Sequence, residues 1–276
     1  MSALMKYPGF LSKAVTLSYD DGVAADKRLA EIMLNYGIAG TFNVGTLPEE
    51  SGGKKLSKCE ARELYSKKGI ELAIHGARHL TWTEVEPSVA MRDIMANRED
   101  LEKSFSKIVN GCAYPNGAYN DTVVDILKNA GIKYARTTVS TEDFKLPVDW
   151  LRLPTTCHHN NPRLFELVDK FLAIENQPYF WRNKPRLFYL WGHSYEFDRD
   201  DNWSLIEEFC QKIGGKNDIW YATNGEIYDY TEAFKRLVFS VDLSYVYNPS
   251  AIDVYVNVLG EELIVPAGKT VEIKKI

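Results

Sequence analysis

Ala14-Val15-Thr16-Leu17-Ser18-Tyr19-Asp20-Asp21-Gly22 is a β-rich run that ends on two adjacent carboxylates and a glycine. Runs like it, weak in polar alternation, suit strands covered on both faces, as in a parallel sheet. The stretch predicts a strand over 14–19, and similar runs predict strands over 40–44, 71–74, 111–114, 134–139, 187–191 and 219–222. Between them lie amphipathic patterns that predict helices over 24–36, 58–67, 87–108, 122–129, 161–174 and 204–213. Several close on a glycine where a left-handed C-cap is wanted: Gly37, Gly69, Gly111, Gly131 and Gly214. The βα unit recurs about seven times, which favours a distorted (β/α) barrel. An open doubly wound sheet would also gather the strand ends.

The residues that follow the strands carry the chemistry. Asp20 and Asp21 follow the first, Asn43 and Thr46 the second, His75 the third, Pro115-Asn116-Gly117 the fourth and His193 the sixth. In a parallel barrel the carboxyl ends of the strands share one rim, so these side chains can converge although they are far apart in sequence. His75 and His79 are four apart, a spacing that on one helical turn aims both imidazoles at a common point. Asp21 completes a two-histidine, one-carboxylate set with positions left for water and substrate. Adjacent carboxylates repel, so Asp20 beside Asp21 implies a cation nearby, and Asp20 is then free to accept a proton from an activated water. The alternative is that one aspartate caps the helix that begins near Ala24.

These residues resemble the polysaccharide deacetylase family, the chitooligosaccharide deacetylase homology fold. Residues 17–22 resemble its T-F-D-D-G motif, His75 to His79 its H-[ST]-x-x-H motif, and residues 113–117 a variant of R-P-P-Y-G. Asp149-Trp150 stands where a fourth motif carries an aspartate and a tryptophan, and residues 190–193 resemble the fifth. The resemblance runs from about residue 14 to 225. It implies that Asp20 is the general base, that Asp21, His75 and His79 hold zinc, or else cobalt, nickel or manganese, and that His193 protonates the leaving amine. It also implies an oxyanion and substrate surface at Tyr114, Pro115, Asn116, Trp150 and Trp191. The chain departs from the pattern at Ala113, where the family has an arginine that orients the base, and Arg152 is the candidate replacement. Gly76 replaces a Ser/Thr, and Asn116 a tyrosine.

The reaction expected is removal of N-acetyl groups from an amino sugar or polysaccharide. Hydrolysis of a non-sugar amide, ureide or cyclic imide is the alternative, and binding without turnover a third reading. A net charge of −5 argues against nucleic acid or an anionic membrane as partner. The first ten residues lack the apolar stretch of a secretory signal and no run is long enough to span a bilayer, so the expected compartment is the cytoplasm. Cys59, Cys112, Cys157 and Cys210 form no C-x-x-C pair and read as reduced thiols. Cys157-His158 is a poor nucleophile pair because adjacent side chains diverge, whereas His158 or His159 could line a cleft. Tyr114, Trp150, Trp191 and Tyr195 are either sugar platforms or packing residues. Glu196 and Asp198 are either solvated or set behind His193.

Beyond Tyr230 the pattern changes to β-branched and aromatic alternation over 238–246, 251–258, 263–265 and 270–273. This predicts a barrel over 1–235 and a β-rich appendage over 236–276, too small at about forty residues to stand alone. A lid on the side or bottom of the barrel and a sugar-binding module are both open.

Overall fold

The computed structural model describes residues 3–50, 53–177 and 179–274. Its strands are β1 (Ala3–Lys6), β2 (Lys13–Asp20), β3 (Gly40–Val44), β4 (Ile70–Ile74), β5 (Gly111–Ala113), β6 (Tyr134–Ser140), β7 (Leu153–Thr155), β8 (Cys157–His158), β9 (Arg186–Gly192) and β10 (Ile219–Tyr221). Five short strands follow: β11 (Val238–Phe239), β12 (Tyr245–Tyr247), β13 (Val254–Val258), β14 (Glu261–Val265) and β15 (Thr270–Glu272). The helices are α1 (Asp26–Asn35), α2 (Lys58–Tyr65), α3 (Pro87–Phe105), α4 (Asp121–Asn129), α5 (Leu164–Leu172), α6 (Tyr195–Arg199), α7 (Trp203–Ile213) and α8 (Asn224–Lys235).

The main sheet runs β7-β6-β5-β4-β3-β2-β9-β8, all parallel, with β10 pairing the start of β2. All eight residues of β2 are buried, as expected of a strand covered on both faces. The distorted barrel expected from the βα repeat is therefore present. Its closure depends on two short strands that the sequence reading did not identify. Residues 153–158 leave β6 as β7 and reach β9 as β8, and Thr156 at the crossing donates its N–H to the Tyr189 carbonyl and receives the Tyr189 N–H on Oγ1. A strand of two or three residues has too little pattern to be recognised by periodicity.

The C-terminal strands form two small antiparallel sheets, β11-β12-β15 and β1-β13-β14. The second takes its edge strand from the start of the chain, with Leu4 opposite Asn257 and Met5 opposite Val256. No described helix is long and apolar enough to cross a membrane.

Candidate active site

Asp20 is the last residue of β2, and the backbone then turns sharply, with Asp21 at φ 85° and Gly22 at φ 66°. A left-handed aspartate is uncommon, and here it turns two neighbouring carboxylates toward different partners. Asp20 is buried. Its Oδ1 accepts a hydrogen bond from Asn43 Nδ2 at 2.9 Å, and its Oδ2 is paired with the Arg136 guanidinium. Asp21 turns toward the histidines.

His75 follows β4 and donates Nδ1–H to the Ala113 carbonyl at 2.9 Å, which leaves the Nε2 lone pair facing the carboxylates. His79 reaches the same point through a loop, not a helical turn as its spacing suggested: residues 75–79 are irregular, with Gly76 at φ 77° and His79 at φ 55°. Asp93 of α3 holds this loop, accepting from Arg78 N–H and Nε and from Trp82 Nε1. A Cβ at position 76 would stand 2.9 Å from Asp93 Oδ2, so the glycine that replaces a hydroxyl residue leaves room for the carboxylate that steadies the loop.

Asp21 Oδ1 lies 3.8 Å from His75 Nε2 and 3.6 Å from His79 Nε2, and the three ligand atoms are all within 4.8 Å of one another. Donors bound to one ion at about 2.0–2.1 Å stand roughly 3–3.5 Å apart. The set as it stands is only slightly wider, so these residues fit a divalent transition metal, and the nitrogen-rich donors suit zinc.

On the other side of Asp20, His193 follows β9 with its Nε2 3.8 Å from Asp20 Oδ2. His75 Nε2 stands at the same 3.8 Å from that oxygen. Behind the ring, His193 Nδ1 is 3.5 Å from Glu196 Oε2. Of the two acids weighed behind His193, Glu196 faces it, whereas Asp198 accepts from Trp203 Nε1. Burial works against a charged His193, but Glu196, Asp20 and Asp21 outweigh it and raise its pKa. Burial also acts to raise Asp20, yet Arg136 chiefly, with His75 and His193, holds it below the ordinary carboxylate range. A cavity of about 1010 Å³ opens beside Asp21 and His79, walled by Val23, Ala24, Ala25 and Tyr195.

Arg152, the expected partner of Asp20, instead pairs with Asp149 and Asp121. The cation on Asp20 is Arg136 of β6, stacked over the Trp191 ring with its guanidinium carbon 4.4 Å from the centroid. An arginine inside a buried strand run was the available signal. Trp191 thus adjoins the site, with its ring 5.8 Å from His193. Pro115 is buried and packs near Gly76, while Asn116 donates to Thr81 Oγ1. Tyr114 is buried with its hydroxyl on the Leu151 carbonyl. Trp150 packs edge-on against Tyr228 of α8, away from the cluster, because it precedes β7 and so sits at the entry rim of the barrel. The four cysteines are free, and burial pushes the Cys157 thiol up to about 12.

The fold and this rim define a parallel α/β barrel with a histidine–carboxylate centre at its carboxyl face. Residues 9–135 match the family model described as polysaccharide deacetylase, the family that the motifs resemble. Among solved structures, a protein described as a polysaccharide deacetylase from Mycobacterium smegmatis is 16% identical with TM-score 0.59, covering 85% of this chain and 96% of that one. The family 4 carbohydrate esterase from Streptomyces lividans, in complex with acetate, is 13% identical with TM-score 0.50, covering 76% and 92%. The Streptococcus pyogenes deacetylase PplD is 24% identical with TM-score 0.46 over 50% of this chain, and the match spans 61% of that protein. Comparison with curated proteins returned no match.

Proposed function

We propose that the chain is a metal-dependent hydrolase that removes N-acetyl groups from an amino sugar or polysaccharide. One observation carries the reading: Asp21 Oδ1, His75 Nε2 and His79 Nε2 face one point, and Asp20 and His193 stand beside it with 3.8 Å between His193 Nε2 and Asp20 Oδ2. The family match over residues 9–135 and the acetate-bound esterase among similar folds support it.

Asp21, His75 and His79 would hold a divalent ion, which would supply Lewis acidity to a carbonyl and to water. Asp20 takes one proton from the attacking water as the new C–O bond forms. Its lowered pKa makes it a weak base that is ionised at almost any working pH, which is adequate only for an acidified water. Backbone N–H at Asn116 is the proposed donor to the developing oxyanion. As the C–N bond breaks, His193 gives its Nε2 proton to the leaving nitrogen, since an unprotonated amine is a poor leaving group. The products are acetate and a free amine. Trp191 fixes the Arg136 plane and so the direction of the Asp20 carboxylate. Zinc is the ion the donor set favours, with cobalt, nickel or manganese as substitutes.

The test is metal analysis of the purified chain with an acetate-release assay on N-acetylated glycans. His75→Ala and His79→Ala are expected to lose the metal, and Asp20→Asn to keep it while losing turnover by about 10²–10⁴-fold. Full metal content in both histidine variants would sink the assignment.

A further inference from the structure

Two histidines outside this mechanism, His158 and His159, lie against it. His158 Nε2 and His159 Nε2 are each 3.1 Å from the same oxygen, Glu196 Oε2, which is also 3.5 Å from His193 Nδ1 and 3.4 Å from the His193 backbone nitrogen. We propose that His158 and His159 are positioning residues that act through Glu196 to hold His193 in the orientation that protonates the leaving amine. The proposal rests on the deacetylase reading above.

The geometry of each ring supports it. His158 Nδ1 accepts the Asn160 N–H at 3.1 Å, so its own proton is on Nε2, aimed at Glu196. His159 is fully buried between Tyr19, stacked at 5.7 Å, and Phe197 at 4.3 Å, and its backbone N–H donates to the Trp191 carbonyl. Among the described residues, neither ring nitrogen of His159 makes a hydrogen bond, which leaves the 3.1 Å approach to Glu196 as its polar contact. A Cβ at Gly192 would fall 2.1 Å from His159 Nδ1, so the glycine before His193 is the space the His159 ring occupies.

Glu196 belongs to a helix of five residues, and its other oxygen has Arg199 at 3.5 Å as the competing partner. Two imidazole nitrogens, each 3.1 Å from Oε2, hold that oxygen behind His193. With Oε2 3.5 Å behind His193 Nδ1, the carboxylate favours a proton on that nitrogen and leaves Nε2 turned toward Asp20. His158, His159 and Glu196 also have the spacing of a second cation site. The His158 tautomer opposes that use, since a ring whose Nδ1 accepts an N–H has no lone pair left on Nε2.

The experiment compares two substrates of the full metal-loaded chain. An N-acetylated amino-sugar oligomer needs its leaving amine protonated, and 4-nitrophenyl acetate does not. His159→Phe keeps the stacking between Tyr19 and Phe197, His158→Ala removes a donor from a ring that is 23% exposed, and His158→Gln restores one. Expected are kcat losses of about 10–100-fold on the acetamide for His159→Phe and His158→Ala, with KM nearly unchanged. On the ester the loss should be less than about threefold, and His158→Gln should recover most of the acetamide rate. Equal losses on both substrates, or none, overturn the proposal. So does a second metal ion per chain that disappears in these variants. A wild-type chain that releases no acetate from N-acetylated sugars overturns the deacetylase reading itself, a failure visible before any variant is made.

Discussion

Arg136 and Asp20 are 116 positions apart in sequence and form a buried ion pair across the barrel. The pair orients the carboxylate and keeps it ionised, at the cost of burying two charges that depend on one another. Removing one partner of such a pair leaves the other uncompensated.

Arg136→Met, similar in volume, is therefore expected to destabilise the fold by about 3–5 kcal/mol. It should also lower kcat about 10–100-fold, because Asp20 loses its orientation. Without the cation only His75 and His193 oppose burial at Asp20, and its pKa rises. Denaturant unfolding and a pH–rate profile measure both effects, and an unchanged profile would refute the pairing.

The proposed mechanism predicts two limbs in the pH dependence of wild-type turnover. His75 is held below 6.5, burial being the largest cause, so it stays a neutral ligand into mildly acidic solution, and Asp20 stays ionised below its ordinary range. His193 is raised above 6.5, so the acid remains charged there and is lost as pH rises through its folded value. A plateau of kcat/KM that includes pH 6.5, measured with metal in excess, is the expected outcome. A profile still climbing above pH 9 would exclude His193 as the acid.

Asp26 at the start of α1 gives a prediction about stability. It accepts from Ser194, next to His193, and from Tyr65, and burial raises its carboxyl to about 7 despite those bonds. The folded state therefore binds a proton more tightly than the unfolded one. The resulting stabilisation is full below the ordinary carboxylate pKa and is lost as pH rises toward 7. Asp26→Asn cannot ionise, so the difference between wild type and variant should change by about 2–4 kcal/mol between pH 4 and 7, as read by chemical denaturation. Parallel curves would show that Asp26 does not titrate in that window.

Much of the barrel was readable because a strand buried on both faces is largely apolar, and β9 spans the run 187–191 from which it was expected. The residues brought together at the rim were readable for a related reason: a polar side chain directly after such a run has little other use. Arg136 was not, because its partner is set by barrel closure and not by local spacing. Trp150 shows the converse, since nearness to a strand says nothing until the direction of the strand is known. Nor does i,i+4 spacing by itself define a helix, as the loop that carries His75 and His79 demonstrates.

Residues 153–158 bridge β6 and β9, and their last member is immediately followed by His159. The cylinder is thus fastened at the seam that also delivers the imidazoles behind Glu196. Prying that fastening apart would disarm the proton donor while Asp21, His75 and His79, carried on β2 and the loop after β4, stayed in register. Damage at the seam should thus yield a protein that still loads its ion but turns over poorly, a separation of loading from turnover built into the way the staves are joined.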